Sequence, residues 1–270
     1  MKNFNSYKLV VGLAILGLSL NSCEAELDVD PRDKQSELDL LNDPANAIQL
    51  VNGVYNKNLA YGMYGFSWIG ITSITTDDAD KGSTAGDSGA DKNLLDDLTF
   101  SASSPSFVDV WKARYQGIGR ANKALFYLEQ LNLDANLKSR LTGEIKFLRA
   151  LWYFDLVRCF GGVPIVTSEV DINDIDLVNE IVYTRKTVPE TYAQIEADLL
   201  DAMSRLPLKS QYSSTDVGRV TKGAAQALLA KAYLYQEKWQ QCYDLTGMVM
   251  DSGQYSLMTN YAEVWRQTGE

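Results

Sequence analysis

The chain has 270 residues, of which 46% are hydrophobic and 22% are charged, and its formal net charge is −10. This composition is that of a globular protein, and the length allows one large domain or two small ones. The acidic balance excludes nucleic acid as a partner, because phosphates require clustered lysine and arginine. The sequence contains no histidine, which excludes Ser-His-Asp and Cys-His catalytic devices.

The first 22 residues have the pattern of a secretory signal peptide. Two lysines precede an uncharged, mostly apolar run from Leu9 to Leu20, which is short for a membrane-spanning helix. The run ends in "LNSC" at Cys23, which resembles a bacterial lipobox. We therefore predict a lipoprotein signal peptide over residues 1–22, a mature N-terminus lipidated at Cys23, and a solvated acidic tether over residues 23–42. An N-terminal helix with an incidental cysteine is the alternative.

Residues 43–270 have a helical pattern, which begins with Asp43-Pro44 as a suitable N-cap and first-turn pair. The segment from Tyr61 to Gly89 interrupts this pattern. It is rich in glycine, serine, threonine and aspartate, which predicts a long loop. Helical spacing resumes at Ser106, where "SFVD" has the spacing of a capping box.

The next predicted helix runs from after Asp134 to about Cys159, and it is apolar on nearly all sides. Such a helix belongs in the interior, and the following "GGVP" ends it. Residues Thr167 to Arg185 are predicted to be a polar connection. "TVPE" at Thr187 is a second capping box, and it opens a helix that Pro207 stops.

The last two predicted helices, between Leu228 and Tyr255, have the spacing of a tetratricopeptide unit. The matching positions are Leu229, Ala230, Tyr233, Trp239 and Cys242. Glu237 stands where that pattern prefers glycine. One such unit cannot bury its apolar face alone, so neighbouring helix pairs must stack on it.

Several single residues have structural predictions. Trp111, Trp152 and Trp239 lie among apolar helical neighbours, and we predict that all three are core residues. Arg149 and Asp155 fall within the interior helix, where a buried charge needs a partner of opposite charge.

Two further cysteines, Cys159 and Cys242, could form a disulfide in an oxidising compartment. The preferred interpretation is that both are small buried apolar side chains. Zinc is not expected, because the chain contains neither histidine nor a C-x-x-C motif.

Five segments in order resemble the SusD/RagB family of outer-membrane nutrient-binding lipoproteins. They are "CEAELDVDP" at Cys23, "WKARYQGIGRAN" at 111–122, "EIKFLRALWYFDLVRCFGGVPIV" at 144–166, "YAQIEADLLDAMSRLP" at 192–207 and "GRVTKGAAQALLAKAYLYQEKWQQCYDL" at 218–245. The resemblance implies an all-α fold of tetratricopeptide-like helix pairs with long loops. It also implies a lipid anchor in the outer membrane, on the cell surface.

The resemblance further implies a function in nutrient uptake and polysaccharide utilisation. Such proteins bind oligosaccharides, or in some members peptides, and deliver them to a SusC-like TonB-dependent transporter. They are not enzymes, and we expect no cofactor. We also expect no calcium site at Asp77, Asp78, Asp80 and Asp87, because no glutamate follows at the position that a calcium-binding loop requires. Family members are usually longer, so we expect residues 43–270 to be a SusD-like domain that is incomplete at its C-terminus. A short natural member is the alternative.

The ligand-binding candidates are Trp68, Tyr61, Tyr64, Asp77 and Asp78, which the family motifs do not fix. Aromatic rings cover the flat C–H faces of sugars, and carboxylates bond their hydroxyl groups. The alternative for Trp68 is that it packs on the core. Two other functions stay open at this point: a tetratricopeptide-type protein-interaction scaffold, and a glycan-cleaving enzyme with paired carboxylates.

Overall fold

The computed structural model of the chain describes residues 45–265 other than 83, 85 and 88. These residues form helices joined by turns and loops, and they contain no strand. The predicted all-α fold class is therefore confirmed. The predicted signal peptide, the predicted lipidation site Cys23 and the Asp43-Pro44 pair lie outside the described residues. None of the described helices is long and apolar enough to cross a membrane.

Ten α-helices lie in the described part of the chain. They are α1 (Asn46–Asn56), α2 (Tyr61–Tyr64), α3 (Phe66–Ile69), α4 (Ala90–Asp96), α5 (Pro105–Gln130), α6 (Ala135–Phe160), α7 (Ile175–Ile181), α8 (Val188–Arg205), α9 (Lys222–Leu234) and α10 (Trp239–Asp251). A π-helical turn, Gly70–Ile74, follows α3 directly.

Helix α6 is the interior helix that the sequence predicted. It begins after Asp134, whose Oδ1 accepts hydrogen bonds from the backbone N–H groups of Asn136 and Leu137, both at 3.0 Å. It packs against α5 on one side and α8 on another, and α1 also contacts it. Its large side chains, including Trp152 at 0% exposure, form much of the core.

Two glycines end α6, each for a different reason. Gly161 has φ of 72°, a left-handed conformation that other residues adopt only with strain. At Gly162 any larger residue is excluded by steric clash, because an added Cβ would lie 2.0 Å from the carbonyl oxygen of Lys186. The two residues let the chain turn sharply at Phe160 and pass close to the segment before α8.

Three charged residues of α6 are almost completely buried. Glu144, Arg149 and Asp155 are at most 4% exposed. Arg149 forms a bidentate pair with Asp198 on α8, at 2.8 and 2.7 Å. Asp155 pairs with Arg114 on α5 at 3.1 Å. The predicted partners of Arg149 and Asp155 are thus confirmed, since an unpaired buried charge would be costly.

The capping box of α8 and the helix pair α9–α10 also match the sequence predictions. The backbone N–H of Thr187 donates to Glu190 Oε2 at 2.8 Å, and the N–H of Glu190 donates back to Thr187 Oγ1 at 3.3 Å. Between α9 and α10, Glu237 has φ of 58°. This left-handed conformation explains why the tetratricopeptide pattern prefers glycine at that position.

The predicted loop from Tyr61 to Gly89 is wrong in its first half. Residues 61–74 form α2, α3 and the π-helical turn, and irregular structure begins only at Thr75. The reason is tertiary: α2 and α3 pack against α5, where Met63 and Ser67 are fully buried. Packing therefore overrides the weak helical propensity of this glycine-containing segment.

Three other sequence predictions need correction. Helix α5 begins at Pro105, so Ser106 lies inside its first turn and is not the predicted N-cap; its Oγ donates to Asp91 Oδ2 at 2.6 Å. The N-cap residue is Ser104, whose Oγ accepts from the backbone N–H of Ser101 at 3.1 Å and caps no helical N–H group. The connection from Thr167 to Arg185 contains α7. Trp239 is 61% exposed and is not a core residue, because it lies at the first position of α10.

The remaining tryptophans and cysteines have distinct environments. Trp152 is a core residue as predicted, whereas Trp111 is only half-buried. Cys159 and Cys242 are both free and partly buried, so they do not form the disulfide that remained possible from the sequence.

Two glycines of α5 allow a direct test of how closely α5 and α6 approach. A Cβ at Gly117 would lie 2.8 Å from the Trp152 ring, whereas one at Gly119 would meet nothing within 4 Å. We expect Gly117→Ala to destabilise the protein by about 1–3 kcal/mol through overpacking. Gly119→Ala is expected to stabilise it by roughly 0.5–1 kcal/mol through helix propensity. Urea unfolding measures both, and equal effects of the two substitutions would contradict the close approach.

Candidate ligand-binding site

A surface cavity of about 700 Å³ opens beside the first turns of α5 and the last turn of α6. We call it the aromatic cavity. Its lining residues come from five parts of the chain: Ile71, Thr75, Phe100, Ala102, Phe107, Val108, Trp111, Cys159, Phe160 and Arg185. Four of the ten are aromatic.

Aromatic contacts hold the wall of the cavity together. Phe107 and Trp111 lie one turn apart on α5, and both contact the ring of Phe160 at the end of α6. The Trp111 and Phe160 centroids are 5.2 Å apart with an interplanar angle of 87°, which is the favoured edge-to-face arrangement. The two long helices thus fix the wall.

Phe100 lies at the mouth of the cavity, on the connection between α4 and α5. Its side chain is 39% exposed, and its ring centroid is 5.3 Å from that of Phe107. The connection begins with Leu98, which has φ of 54° and so turns the chain sharply after α4. The ring of Phe100 is therefore accessible to a ligand, and its contact with Phe107 holds it in place.

Arg185 lines the cavity next to the end of α6. Its Nη1 donates to the carbonyl oxygens of Phe160 and Gly162, at 3.0 and 2.9 Å. Its guanidinium lies 5.1 Å from the centroid of the Trp111 ring, a cation–π distance. These contacts satisfy backbone carbonyls at a helix end and hold the guanidinium at the cavity.

The polar chemistry of the cavity is limited to a hydroxyl, a thiol and the guanidinium. Thr75 Oγ1 already donates to the carbonyl of Ile71 at 3.2 Å. Burial raises the pKa of the Cys159 thiol, which favours the protonated and weakly nucleophilic form. No carboxylate lines the cavity among the described residues, whereas most glycosidases need two.

Outside the aromatic cavity, Lys92 and Ser106 form a hydrogen bond in the interior of the protein. The Nζ of Lys92 donates to Ser106 Oγ at 2.7 Å, an arrangement that resembles a nucleophile beside a base. Ser106 is 0% exposed and Lys92 is 3% exposed. Because no substrate reaches this hydroxyl, the contact is structural.

The structure places Trp68 and Tyr64 over the buried ion pair of Arg114 and Asp155. The Arg114 guanidinium lies 4.2 Å from the Trp68 ring centroid and 5.1 Å from that of Tyr64. The hydroxyl of Tyr64 donates to Asp155 Oδ2 at 3.0 Å, and burial raises the Tyr64 pKa well above its ordinary value. Trp68 is half-buried, so one part of its ring covers the ion pair and another remains accessible.

The other three sequence candidates are exposed. Tyr61 is 62% exposed at the start of α2, and Asp77 and Asp78 lie in the turn after the π-helical segment. Within the part of the chain that is described, no group of three or more acidic or cysteine side chains is placed to hold a metal ion.

Sequence reasoning missed Phe100 and Arg185 as site residues and treated Trp111 as core. One signal was available for Phe100, because it is a lone aromatic residue in the polar stretch "LTFSASSPS". No comparable signal marked Arg185, since its contacts with the end of α6 join residues that are 23 and 25 positions apart.

Several known proteins are similar to this chain in both sequence and fold. A SusD-like family profile, described as "Starch-binding associating with outer membrane", matches residues 27–234. SusD-like protein P25 of Formosa agariphila is 25% identical over 97% of the chain and 49% of its own length.

Two solved structures extend this similarity. A laminarin-binding SusD-like protein is 31% identical, with a TM-score of 0.72, over 84% of this chain and 50% of that protein. A SusD homologue from Bacteroides thetaiotaomicron is 26% identical, with a TM-score of 0.73, over 88% and 46% of the two chains. The chain spans about half the length of these relatives.

The family profile covers more than half of the chain, and the solved structures share its helical fold. These findings confirm the resemblance that the five sequence segments indicated. The chain therefore belongs to the SusD-like family of carbohydrate-binding proteins.

Proposed function

We propose that the protein binds oligosaccharides in the aromatic cavity and delivers them to a SusC-like TonB-dependent transporter. The observation that carries this proposal is an accessible aromatic cavity in a chain that belongs to a carbohydrate-binding family. The solved relative whose name states laminarin binding supports a glucan as one ligand class to test.

The physical basis is the match between a sugar ring and the cavity mouth. A sugar has flat C–H faces, and the 39% exposed ring of Phe100 offers a surface of that kind. Binding sites of this type are mostly apolar, with a few polar groups that fix orientation. A neutral sugar gains no long-range charge attraction, so its affinity comes from contact area and a few hydrogen bonds.

The membrane location is part of the same proposal. The lipobox at Cys23 would anchor the protein in the outer membrane through lipid, and the family description names association with that membrane. The anchor keeps the binding surface close to a transporter in the same membrane, which raises the effective concentration of captured ligand.

The first prediction concerns Phe100. Loss of an aromatic hot spot typically costs about 2 kcal/mol, or roughly 30-fold in affinity. We expect Phe100→Ala in the full-length protein to weaken oligosaccharide binding on that scale, with little change in melting temperature because the ring is partly exposed. Calorimetric titration with laminarin, starch and polyuronate fragments measures the affinity.

Phe126→Ala is the matched control, because Phe126 is a 54% exposed phenylalanine on α5 that does not line the cavity. It is expected to leave the affinity unchanged. Equal effects of the two substitutions, or a wild-type protein that binds none of the fragments, would contradict the proposed function.

Trp68 does not line the aromatic cavity, but its half-buried ring remains a proposed ligand contact. We expect Trp68→Ala to weaken binding about 10- to 30-fold, as for a stacked aromatic residue. Because its ring also covers Arg114, the substitution is expected to lower the melting temperature as well. Titration and thermal unfolding of one preparation separate the two effects, and unchanged affinity would remove Trp68 from the site.

The anchor has its own test. Cys23→Ala is expected to release the protein from the membrane fraction, since no lipid can be attached. Mass spectrometry of the wild-type N-terminal peptide should show acylation at Cys23. Cys242→Ala is the control and should remain membrane-bound. A mature N-terminus elsewhere, or retention of Cys23→Ala, would rule out the anchor.

A further inference from the structure

Arg185 differs from most arginines of the described chain because no carboxylate pairs with it. Arg114, Arg140, Arg149, Arg158, Arg205 and Arg219 all form ion pairs. Of the arginines in the described ranges, only Arg120 and Arg185 have none. Arg120 does not line the aromatic cavity and donates instead to the carbonyl oxygen of Gly53, whereas Arg185 lines the cavity.

The hydrogen bonds of Arg185 leave one particular edge of its guanidinium free. Both N–H groups of Nη1 are used by the carbonyl oxygens of Phe160 and Gly162. Nε and Nη2 make no hydrogen bond within the described residues. These two nitrogens form the fork that binds a carboxylate with two parallel hydrogen bonds. The Nη1 contacts and the Trp111 ring limit the freedom of this fork before any ligand binds.

The local charge also favours an anion. The C-terminus of a helix carries about −0.5 elementary charge, which alone would repel a carboxylate near Phe160. The full positive charge of Arg185 exceeds it. No carboxylate lines the cavity among the described residues, and exposed charges more than about 8 Å away are largely screened at physiological salt.

We propose that the aromatic cavity selects sugars that carry a carboxylate, with Arg185 binding the carboxylate and Phe100 contacting the ring face. The ligand class is a uronate-containing oligosaccharide. This inference rests on the proposed function and narrows it. A sulfate ester is also an oxyanion that a guanidinium binds, so the test includes it as a separate ligand.

The test compares Arg185→Gln with Arg120→Gln in the full-length protein. The probes are trigalacturonate, its carboxyl-reduced neutral counterpart, and a sulfated trisaccharide of the same linkage. We expect the wild type to bind trigalacturonate at least 10-fold more tightly than the neutral probe. Arg185→Gln should remove this preference and change neutral binding less than twofold, whereas Arg120→Gln should retain it.

A second pair of variants covers the case in which Arg185→Gln destabilises the end of α6. Val108 lines the cavity and is 51% exposed, so substitution there leaves the core intact. Val108→Glu places a carboxylate at the mouth and should weaken trigalacturonate binding at least 10-fold relative to Val108→Gln. The neutral probe should bind both variants equally.

The outcomes separate this inference from the proposed function. If neutral sugars bind in a Phe100-dependent way and Arg185→Gln leaves trigalacturonate affinity unchanged, the carboxylate preference is overturned and the proposed function stands. Tighter binding of the sulfated probe than of trigalacturonate would also overturn the assignment to uronates. If no probe binds the wild type but laminarin or starch fragments do, the uronate assignment fails and the proposed function stands; if none of these sugars binds, both proposals fail.

Discussion

The buried charges of α6 constrain how the other helices are arranged around it. Glu144, Arg149 and Asp155 are each almost fully buried, so each needs a partner of opposite charge at hydrogen-bonding distance. The partners come from different neighbours: Asp198 on α8, Arg114 on α5, and Arg219 from the segment before α9. A shift of any neighbour along α6 would break a pair, so the pairs specify one register for the bundle.

Two kinds of residue line the aromatic cavity: residues of the packed helices α5 and α6, and residues of the connections between helices. Phe107, Trp111 and Phe160 lie on the two longest helices and pack on each other. Phe100 and Arg185 lie on segments between helices, where residues can change without disturbing the core. Under the proposed function, this division places the residues that would set ligand specificity on the rim and leaves the helical frame unchanged.

The helices with local signals were predictable from the sequence, and the cavity was not. Asp134 and the Thr187 capping box marked helix starts because a cap acts within three residues. Trp239 was assigned to the core wrongly, because its apolar neighbours do not show what covers it. The cavity joins residues from Ile71 to Arg185, so its lining depends on packing between distant segments. Trp68 is a ligand-binding candidate from the sequence, and its contact with Arg114 could be found only in the structure.

Because the residues that line the aromatic cavity come from distant segments of the chain, a ligand bound there would stabilise the whole helical bundle against unfolding. Five segments meet there, from Ile71 to Arg185, and the wall exists only while α5 and α6 are packed together. A ligand that fills it binds the native state and not the unfolded chain, and at 100 times its dissociation constant adds about 2.7 kcal/mol to stability. Such a ligand protects both long helices together, so its binding would also slow any proteolysis that depends on global opening.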